Sequence, residues 1–157
     1  MYLIPPKRIC LSGGGIRAVA FLGALEVLQQ KSLLVAVKEY VGISAGAFIC
    51  FGLCVGYTFS EMKQVGFEFD FSHIRSFEAD SAIDFLETYG FDSGENLIKL
   101  LESLLKQKQL PASLTFQQLH EHSPAAPTLR CFATDLTCCT AREFSYKKTP
   151  NVRIVDA

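Results

Sequence analysis

The residue whose surroundings most favour chemistry is Ser44, in the segment Gly42-Ile43-Ser44-Ala45-Gly46. A G-x-S-x-G pattern between a strand and a helix is typical of a nucleophilic serine on a tight turn. Gly42 and Gly46 let neighbouring backbone approach closely, and glycine tolerates strained dihedral angles. The N–H of Ala45 lies in the first turn of the next helix, which favours negative charge developing on an attacked carbonyl. The alternative is a small-residue turn that only packs a helix against a sheet.

A second glycine-rich segment, Ser12-Gly13-Gly14-Gly15-Ile16-Arg17, precedes this motif by about 30 residues. Consecutive glycines before a helix expose backbone N–H groups that can hold an anion. No Gly-Lys-Ser/Thr follows, which disfavours a nucleotide-binding Walker loop. We favour an oxyanion hole, in which N–H groups of Gly13, Gly14 and Gly15 face a carbonyl attacked by Ser44.

A dinucleotide-binding loop is the alternative for the same glycines. Gly13-x-Gly15 fits that pattern, and Glu39 could contact a ribose. Ala18 occupies the position of the third glycine, however, and the next predicted strand runs directly into the serine motif. This reading remains open at the level of sequence, but it is the weaker one.

The elements that must position both motifs follow from the apolar pattern. The sequence predicts strands at Lys7–Leu11 and within Leu33–Val41, and helices at Arg17–Gln30 and Ala45–Tyr57. Alternation of strands and helices implies an α/β protein with a parallel sheet covered on both faces. Short helices and loops are expected over residues 60–90, and a helix from Asp92 to Lys108. Three further elements are a helix over Thr115–His120 with Thr115 as N-cap, and strands at Leu129–Thr134 and Glu143–Tyr146 joined by a turn.

Length and composition point to one ordinary globular domain. The chain has 157 residues, of which 49% are apolar, and its formal net charge is −1. Such a balance gives no reason to expect nucleic-acid binding. The N-terminus has no apolar run typical of a secretory signal, so we expect a cytoplasmic protein whose six cysteines are reduced and mostly buried. Cys50 and Cys54 lack the ligand spacing of a metal site.

A charge-free stretch of 21 residues, Tyr40 to Ser60, is long enough to span a bilayer. Four glycines interrupt it, and its first part is explained by the serine turn. We therefore favour a helix buried on all sides over a membrane span.

Together, these segments resemble the patatin-like phospholipase family. Ser12-Gly13-Gly14-Gly15-Ile16-Arg17 is similar to the family's G-G-G-x-R/K-G loop, and its spacing to Ser44 also matches. Phe132-Ala133-Thr134-Asp135-Leu136-Thr137 and Asn151 to Ala157 resemble later family segments less specifically. The resemblance covers nearly the whole chain. It implies a three-layer α/β/α sandwich with a mainly parallel sheet, and a Ser–Asp dyad that cleaves acyl esters of lipids without a histidine base.

Two departures from the family pattern affect these expectations. Ala18 replaces the glycine that usually closes the first motif. No Asp-Gly pair occurs in the chain, although the family places its dyad aspartate in Asp-Gly-Gly or Asp-Gly-Ala. Asp156 precedes alanine but lies in an earlier family segment, and Asp135 is better interpreted as a turn residue. We therefore expect a single domain, residues 1–157, truncated before the aspartate motif.

The predicted function is that of a serine-dependent lipid acyl hydrolase, weak or inactive in these 157 residues. The alternative is an inactive lipid-binding or regulatory protein of the same fold. Arg17 is expected either to orient the glycine loop or a lipid phosphate, or to form a salt bridge in the first helical turn. His73, His120 and His122 stand outside any recognisable catalytic motif. We expect no metal, cofactor, nucleotide or nucleic-acid partner, and a substrate at a lipid or membrane surface.

Overall fold

A four-stranded sheet organises residues 4–68 and 94–157, the parts of the chain that the computed structural model describes. The strands lie in the order β1-β2-β3-β4, with bounds Arg8–Leu11, Glu39–Ile43, Thr128–Asp135 and Thr140–Ser145. β1, β2 and β3 are parallel, and β4 is antiparallel to β3. The predicted α/β class and mainly parallel sheet are confirmed.

Five α-helices connect and cover these strands in the described residues: α1 Val19–Gln30, α2 Ala45–Cys54, α3 Phe59–Glu68, α4 Glu95–Gln107 and α5 Phe116–His122. A short 3-10 helix, Gly15–Ala18, precedes α1, and another spans Ile154–Asp156. Thr115 is the N-cap of α5 as predicted, because its hydroxyl accepts from Gln118 N–H while the Gln118 side chain accepts from Thr115 N–H. The rest of the expected 60–90 segment, from residue 69 onward, lies outside the described residues.

The structure refines two predicted boundaries. β2 starts at Glu39, inside the predicted segment Leu33–Val41, because residues 31–36 form turns, and it continues past Val41 through Ile43. α2 ends at Cys54 rather than Tyr57. Gly56 adopts a φ of +97°, and the N–H groups of Gly56 and Tyr57 donate to Leu53 and Gly52 carbonyls at 3.3 and 2.9 Å. This paired arrangement is a Schellman ending, which a glycine after the helix favours.

The apolar core lies against one face of the sheet. Strand residues on this face pack with α2, which contributes Cys50 and Phe51 among its buried residues. Since α2 is buried along most of its length, the prediction of a buried helix is confirmed; in the described residues no helix has the length and hydropathy that a bilayer span needs. The strand residues on the core face are Ile9, Leu11, Tyr40, Leu129, Cys131 and Phe144.

The opposite face of the sheet carries charge. Arg8 forms an ion pair with Glu39, its neighbour in register. Arg130 lies 2.8 Å from Glu143 and 3.9 Å from Glu39. The hydrogen bond from Arg130 holds the pKa of the Glu143 carboxyl below its usual range, despite partial desolvation. These pairs tie all four strands together across that face.

All six cysteines are free, as expected, but fewer are buried than the sequence suggested. Cys50 and Cys54 are buried and Cys131 is half-buried, whereas Cys10, Cys138 and Cys139 are exposed. Cys10 alternates onto the charged face, and the other two exposed cysteines occupy the turn between β3 and β4. The expectation of mostly buried thiols is therefore wrong, because one face of β1 is charged and because a turn exposes Cys138 and Cys139.

Candidate active site

Ser44 occupies the sharp turn between β2 and α2. Its backbone has φ 53° and ψ −128°, a conformation that non-glycine residues seldom adopt. Such strain persists only where the surrounding structure imposes it, and it is concentrated at functional sites. Ser44 is exposed at the carboxyl edge of the parallel strands, and it directly precedes the first residue of α2.

Gly42 and Gly46 permit this turn by their lack of a side chain. A Cβ atom at Gly42 would lie 2.4 Å from Ala47 Cα, and one at Gly46 would lie 2.4 Å from the Leu11 carbonyl oxygen. Both contacts are with backbone, which cannot move aside as a flexible side chain can. The glycine spacing therefore lets α2 start against β1 and its following loop, with Ser44 lifted above them.

The glycine-rich loop lies beside Ser44. Leu11 pairs with Gly42 in the parallel register, so the loop after β1 and the turn after β2 leave the sheet together. A Cβ atom at Gly13 would lie 3.3 Å from Ser44 Cβ and 3.8 Å from Ser44 Oγ. The space that a side chain at Gly13 would fill is therefore the space next to the hydroxyl.

The rest of this loop leads into the 3-10 helix that starts at Gly15. Gly15 has a φ of +53°, a region that favours glycine, and a Cβ atom there would meet nothing within 4 Å. Gly14 accepts a hydrogen bond of 3.2 Å from Arg17 N–H, which closes the first turn of the 3-10 helix. Gly15 is thus needed for its backbone conformation, and Gly13 for closeness to the serine.

The electrostatics at Ser44 favour an anion. The carbonyl of Ser44 accepts from the N–H groups of Ala47 and Phe48 at 2.8 and 3.1 Å, so α2 begins at the serine itself. The first N–H groups of a helix have no intrahelical acceptor, and they carry the positive end of the helix dipole. Ala45 and Gly46 supply such groups beside the hydroxyl. This arrangement can stabilise charge on a carbonyl oxygen attacked at Ser44.

Arg17 is exposed in the 3-10 helix that follows the glycine loop. In the part of the chain that the structure describes, no ion pair of its guanidinium is found. The alternative of a salt bridge in the first helical turn is therefore not realised among these residues. A cationic side chain is left at the edge of the sheet that carries Ser44.

The described histidines lie away from Ser44. His120 stacks on Tyr146 with ring centroids 4.0 Å apart, and it lines a small cavity with Cys54 and Thr128. Cys54 ends α2 and Thr128 begins β3, so this cavity is at the amino edge of the parallel strands. With a rise of about 1.5 Å per residue, α2 separates that edge from Ser44 by roughly 15 Å. His122 is exposed at the end of α5, and His73 lies outside the described residues.

The two described aspartates are both engaged elsewhere. Asp135 accepts from Cys138 N–H at 3.0 Å and faces Arg142 at 3.4 Å, as expected of a turn residue. Asp156 accepts two hydrogen bonds from Arg153, at 2.7 and 2.6 Å. Neither contact orients a carboxylate toward the Ser44 hydroxyl.

The geometry overturns the proposed ribose contact of Glu39. Glu39 is the first residue of β2, and its carboxylate pairs with Arg8. The glycine loop follows the opposite end of the neighbouring strand, roughly 13 Å away at about 3.3 Å per residue. A single nucleotide could not use both features in the usual way.

No metal site is evident within residues 4–68 and 94–157, where no group of three or more His, Cys, Asp or Glu side chains could hold an ion. Burial raises the pKa of the Cys50 thiol to about 12, and it raises that of Cys54 well above its usual range. A thiol with such a pKa is a poor nucleophile and metal ligand. Ser44, in contrast to these buried thiols, is exposed at the carboxyl edge of the parallel strands.

Comparison with known proteins agrees with this geometry. Residues 9–157 match the family model "Patatin-like phospholipase". The chain is 32% identical to the "Probable lipid hydrolase 463L" of Invertebrate iridescent virus 6 over 151 residues, covering 96% of this chain and 51% of that protein. It spans about half the length of the curated relatives it matches first.

Two solved structures share the fold at lower identity. Full-length ExoU of Pseudomonas aeruginosa, solved in complex with SpcU, superposes with a TM-score of 0.72 at 20% identity, covering 98% of this chain and 37% of that one. VipD of Legionella pneumophila gives a TM-score of 0.64 at 15% identity, covering 96% and 41%. The similarity to both confirms the predicted fold class. With the family match over nearly its whole length, this chain belongs to the patatin-like phospholipase family.

Proposed function

We propose that this chain supplies the nucleophile and the oxyanion hole of a lipid acyl hydrolase. The observation that carries the proposal is the strained backbone of Ser44 at the start of α2, with Gly13 against its side chain. Family membership and the viral relative described as a probable lipid hydrolase support an acyl ester of a lipid as the substrate.

The reaction follows from this arrangement. Ser44 Oγ attacks the acyl carbonyl carbon and loses its proton to a base, and the carbonyl oxygen becomes an oxyanion. N–H groups of the Gly13–Gly15 loop and of Ala45 donate to that oxygen. The intermediate collapses to an acyl-serine, and the leaving alcohol takes a proton. Water then attacks the acyl-serine, releasing the fatty acid and restoring the hydroxyl.

The resemblance implies an aspartate in an Asp-Gly motif as the base, and the sequence contains no Asp-Gly pair. The two aspartates in the described residues, Asp135 and Asp156, are held by other groups. We therefore propose that these 157 residues turn over substrate weakly or not at all by themselves, while Ser44 keeps its nucleophile geometry. Arg17, exposed beside the loop, would orient the loop or a lipid phosphate. The protein would act in the cytoplasm at membrane surfaces.

Labelling with a fluorophosphonate tests the nucleophile. In a chain extended through an Asp-Gly motif that can supply the base, we expect one adduct on the wild-type sequence, none on Ser44→Ala, and strongly reduced labelling of Gly13→Val, because the valine would occupy the space beside Ser44 Oγ. Gly23→Val is the matched control, since a Cβ atom at Gly23 in α1 meets nothing within 4 Å. Equal labelling of Ser44→Ala and wild type would refute the proposal.

An inactive lipid-binding protein is the second candidate, and it is favoured by the lack of an Asp-Gly pair in the sequence. The two readings differ in covalent chemistry rather than in affinity for lipid. A folded chain that binds lipid but gives no Ser44 adduct, even in a longer chain containing an Asp-Gly motif, would establish the binding protein and exclude the hydrolase.

A further inference from the structure

We propose that the edge of the sheet around Ser44 docks on a zwitterionic lipid surface through four exposed apolar side chains, Ile16, Ile43, Phe67 and Leu136. This inference rests on the proposed function and adds how the substrate's lipid aggregate is reached. We refer to these four residues as the apolar rim. Their exposed fractions are 71%, 50%, 77% and 83%.

The topology brings the apolar rim to one edge. Ile16 follows the end of β1, Ile43 ends β2, and Leu136 follows the end of β3. Because these three strands are parallel, their carboxyl ends share the edge that carries Ser44. Exposed apolar residues that are scattered singly need no explanation. Four of them around one reactive group instead suggest an interaction surface.

Phe67 reaches the same edge from α3. A Cβ atom at Gly66 would lie 3.2 Å from Val19 Cγ2, and Val19 is the first residue of α1, which starts directly after the glycine loop. The carboxyl end of α3 therefore lies beside the start of α1, which places Phe67 on the Ser44 side of the molecule. The position of Phe67 is set by α3 and not by the strands, so it is independent evidence that the apolar rim lies at this edge.

The hairpin between β3 and β4 extends further beyond the carboxyl edge of the sheet than the end of β2 does. β3 continues for three residues beyond Phe132, the partner of Ile43, which is roughly 10 Å at about 3.3 Å per residue. Its tip, residues 136–141, contains no charged residue. The Asp135 carboxylate at its base accepts from Cys138 N–H, which fixes the turn that presents Leu136. An uncharged, protruding tip with an exposed leucine can enter the boundary between headgroups and acyl chains.

Among the described residues, the charges near this edge balance, which favours one kind of lipid surface. Arg17 and Arg142 are cationic, whereas Asp135 and Glu68 are anionic, and Arg142 already faces Asp135. Attraction to anionic headgroups requires clustered basic residues. Apolar insertion into a zwitterionic surface is therefore the mode that these residues favour.

The absence of tryptophan from the sequence gives a direct test. A single tryptophan at Leu136→Trp would report contact with vesicles of phosphatidylcholine, and Val35→Trp is the matched control. Val35 is 76% exposed and precedes β2, at the opposite edge of the sheet. We expect a blue shift and quenching by brominated acyl chains for Leu136→Trp alone, at low and high salt.

A second pair of variants measures binding without fluorescence. Phe67→Asp should weaken vesicle flotation by about tenfold or more, because burial of a phenylalanine is lost and a charge is added. Val35→Asp should leave flotation unchanged. Thermal melting would verify that both variants are folded, and neither residue belongs to the Ser44 site.

Three outcomes would overturn the proposal. Emission from Leu136→Trp could be blue-shifted before vesicles are added, which would show that protein covers the rim. Both tryptophan variants could respond equally, or binding could require anionic lipid and disappear in salt. Fluorophosphonate labelling of Ser44 in the absence of lipid is a separate readout, so failure of the rim and failure of the nucleophile are distinguishable.

Discussion

Replacing Gly46 by alanine should damage both the fold and the nucleophile. The new Cβ atom would lie 2.4 Å from Leu11 O and 2.6 Å from Ser12 O, although such contacts are essentially never shorter than 3.0 Å. The start of α2 must therefore move by about 0.6 Å against the backbone of β1 and its loop, an overpacking that costs ~1–3 kcal/mol. The same movement separates Ser44 from the glycine loop.

Gly23→Ala provides the comparison. It also places alanine in a helix, but its Cβ atom would meet nothing within 4 Å. Alanine in a helix interior is more favourable than glycine by about 1 kcal/mol, so this variant should be as stable as wild type or more so. Urea unfolding followed by circular dichroism gives both stabilities, and fluorophosphonate labelling gives Ser44 reactivity. A Gly46→Ala variant that matches Gly23→Ala in stability and is labelled at the wild-type rate would contradict this prediction.

Three other predictions concern pH, thiols and the end of α2. The Lys108 hydrogen bond lowers the pKa of Glu61 from 4.5 to about 2, so the stability it contributes is present above pH 4.5 and lost as pH falls toward 2. Unfolding of Glu61→Gln should depend less on pH in that window, and 1 M salt should reduce the wild-type dependence; identical pH profiles would contradict this. Thiol titration of the native chain should show three fast cysteines, namely Cys10, Cys138 and Cys139, and three that react only after unfolding. Six fast thiols would contradict the burial of the other three cysteines. Gly56→Ala should lower the free energy of unfolding by about 1 kcal/mol because its φ of +97° strains alanine, and unchanged urea midpoints would count against the helix ending.

The sequence was most informative where a local rule fixes backbone geometry. The glycines around Ser44 predicted a tight turn before a helix, and Thr115 as an N-cap residue predicted the start of α5. Apolar patterning predicted the strands and helices of the α/β class. These features depend on nearest neighbours, so they can be read without tertiary contacts.

Tertiary contacts determined what the sequence did not show. Only the parallel register of Leu11 with Gly42 places Gly13, rather than another glycine of the loop, against the serine side chain. Glu39 seemed available to a ribose until its position at the amino end of β2 was known. The apolar rim was equally hidden, since Phe67 and Leu136 are distant in sequence from Ser44. Cysteine is usually a buried residue, but Cys138 and Cys139 are exposed because they occupy a turn.

Mass spectrometric mapping of the fluorophosphonate adduct tests the central claim most directly. In a folded chain extended through an Asp-Gly motif, we predict one modified residue, Ser44, and loss of the adduct when urea unfolds the protein before labelling. Labelling after unfolding is informative because we attribute the reactivity of Ser44 to its strained backbone and the adjacent glycine loop, and not to the hydroxyl alone. An adduct at another residue, or labelling of Ser44 that persists in the unfolded chain, would contradict the account.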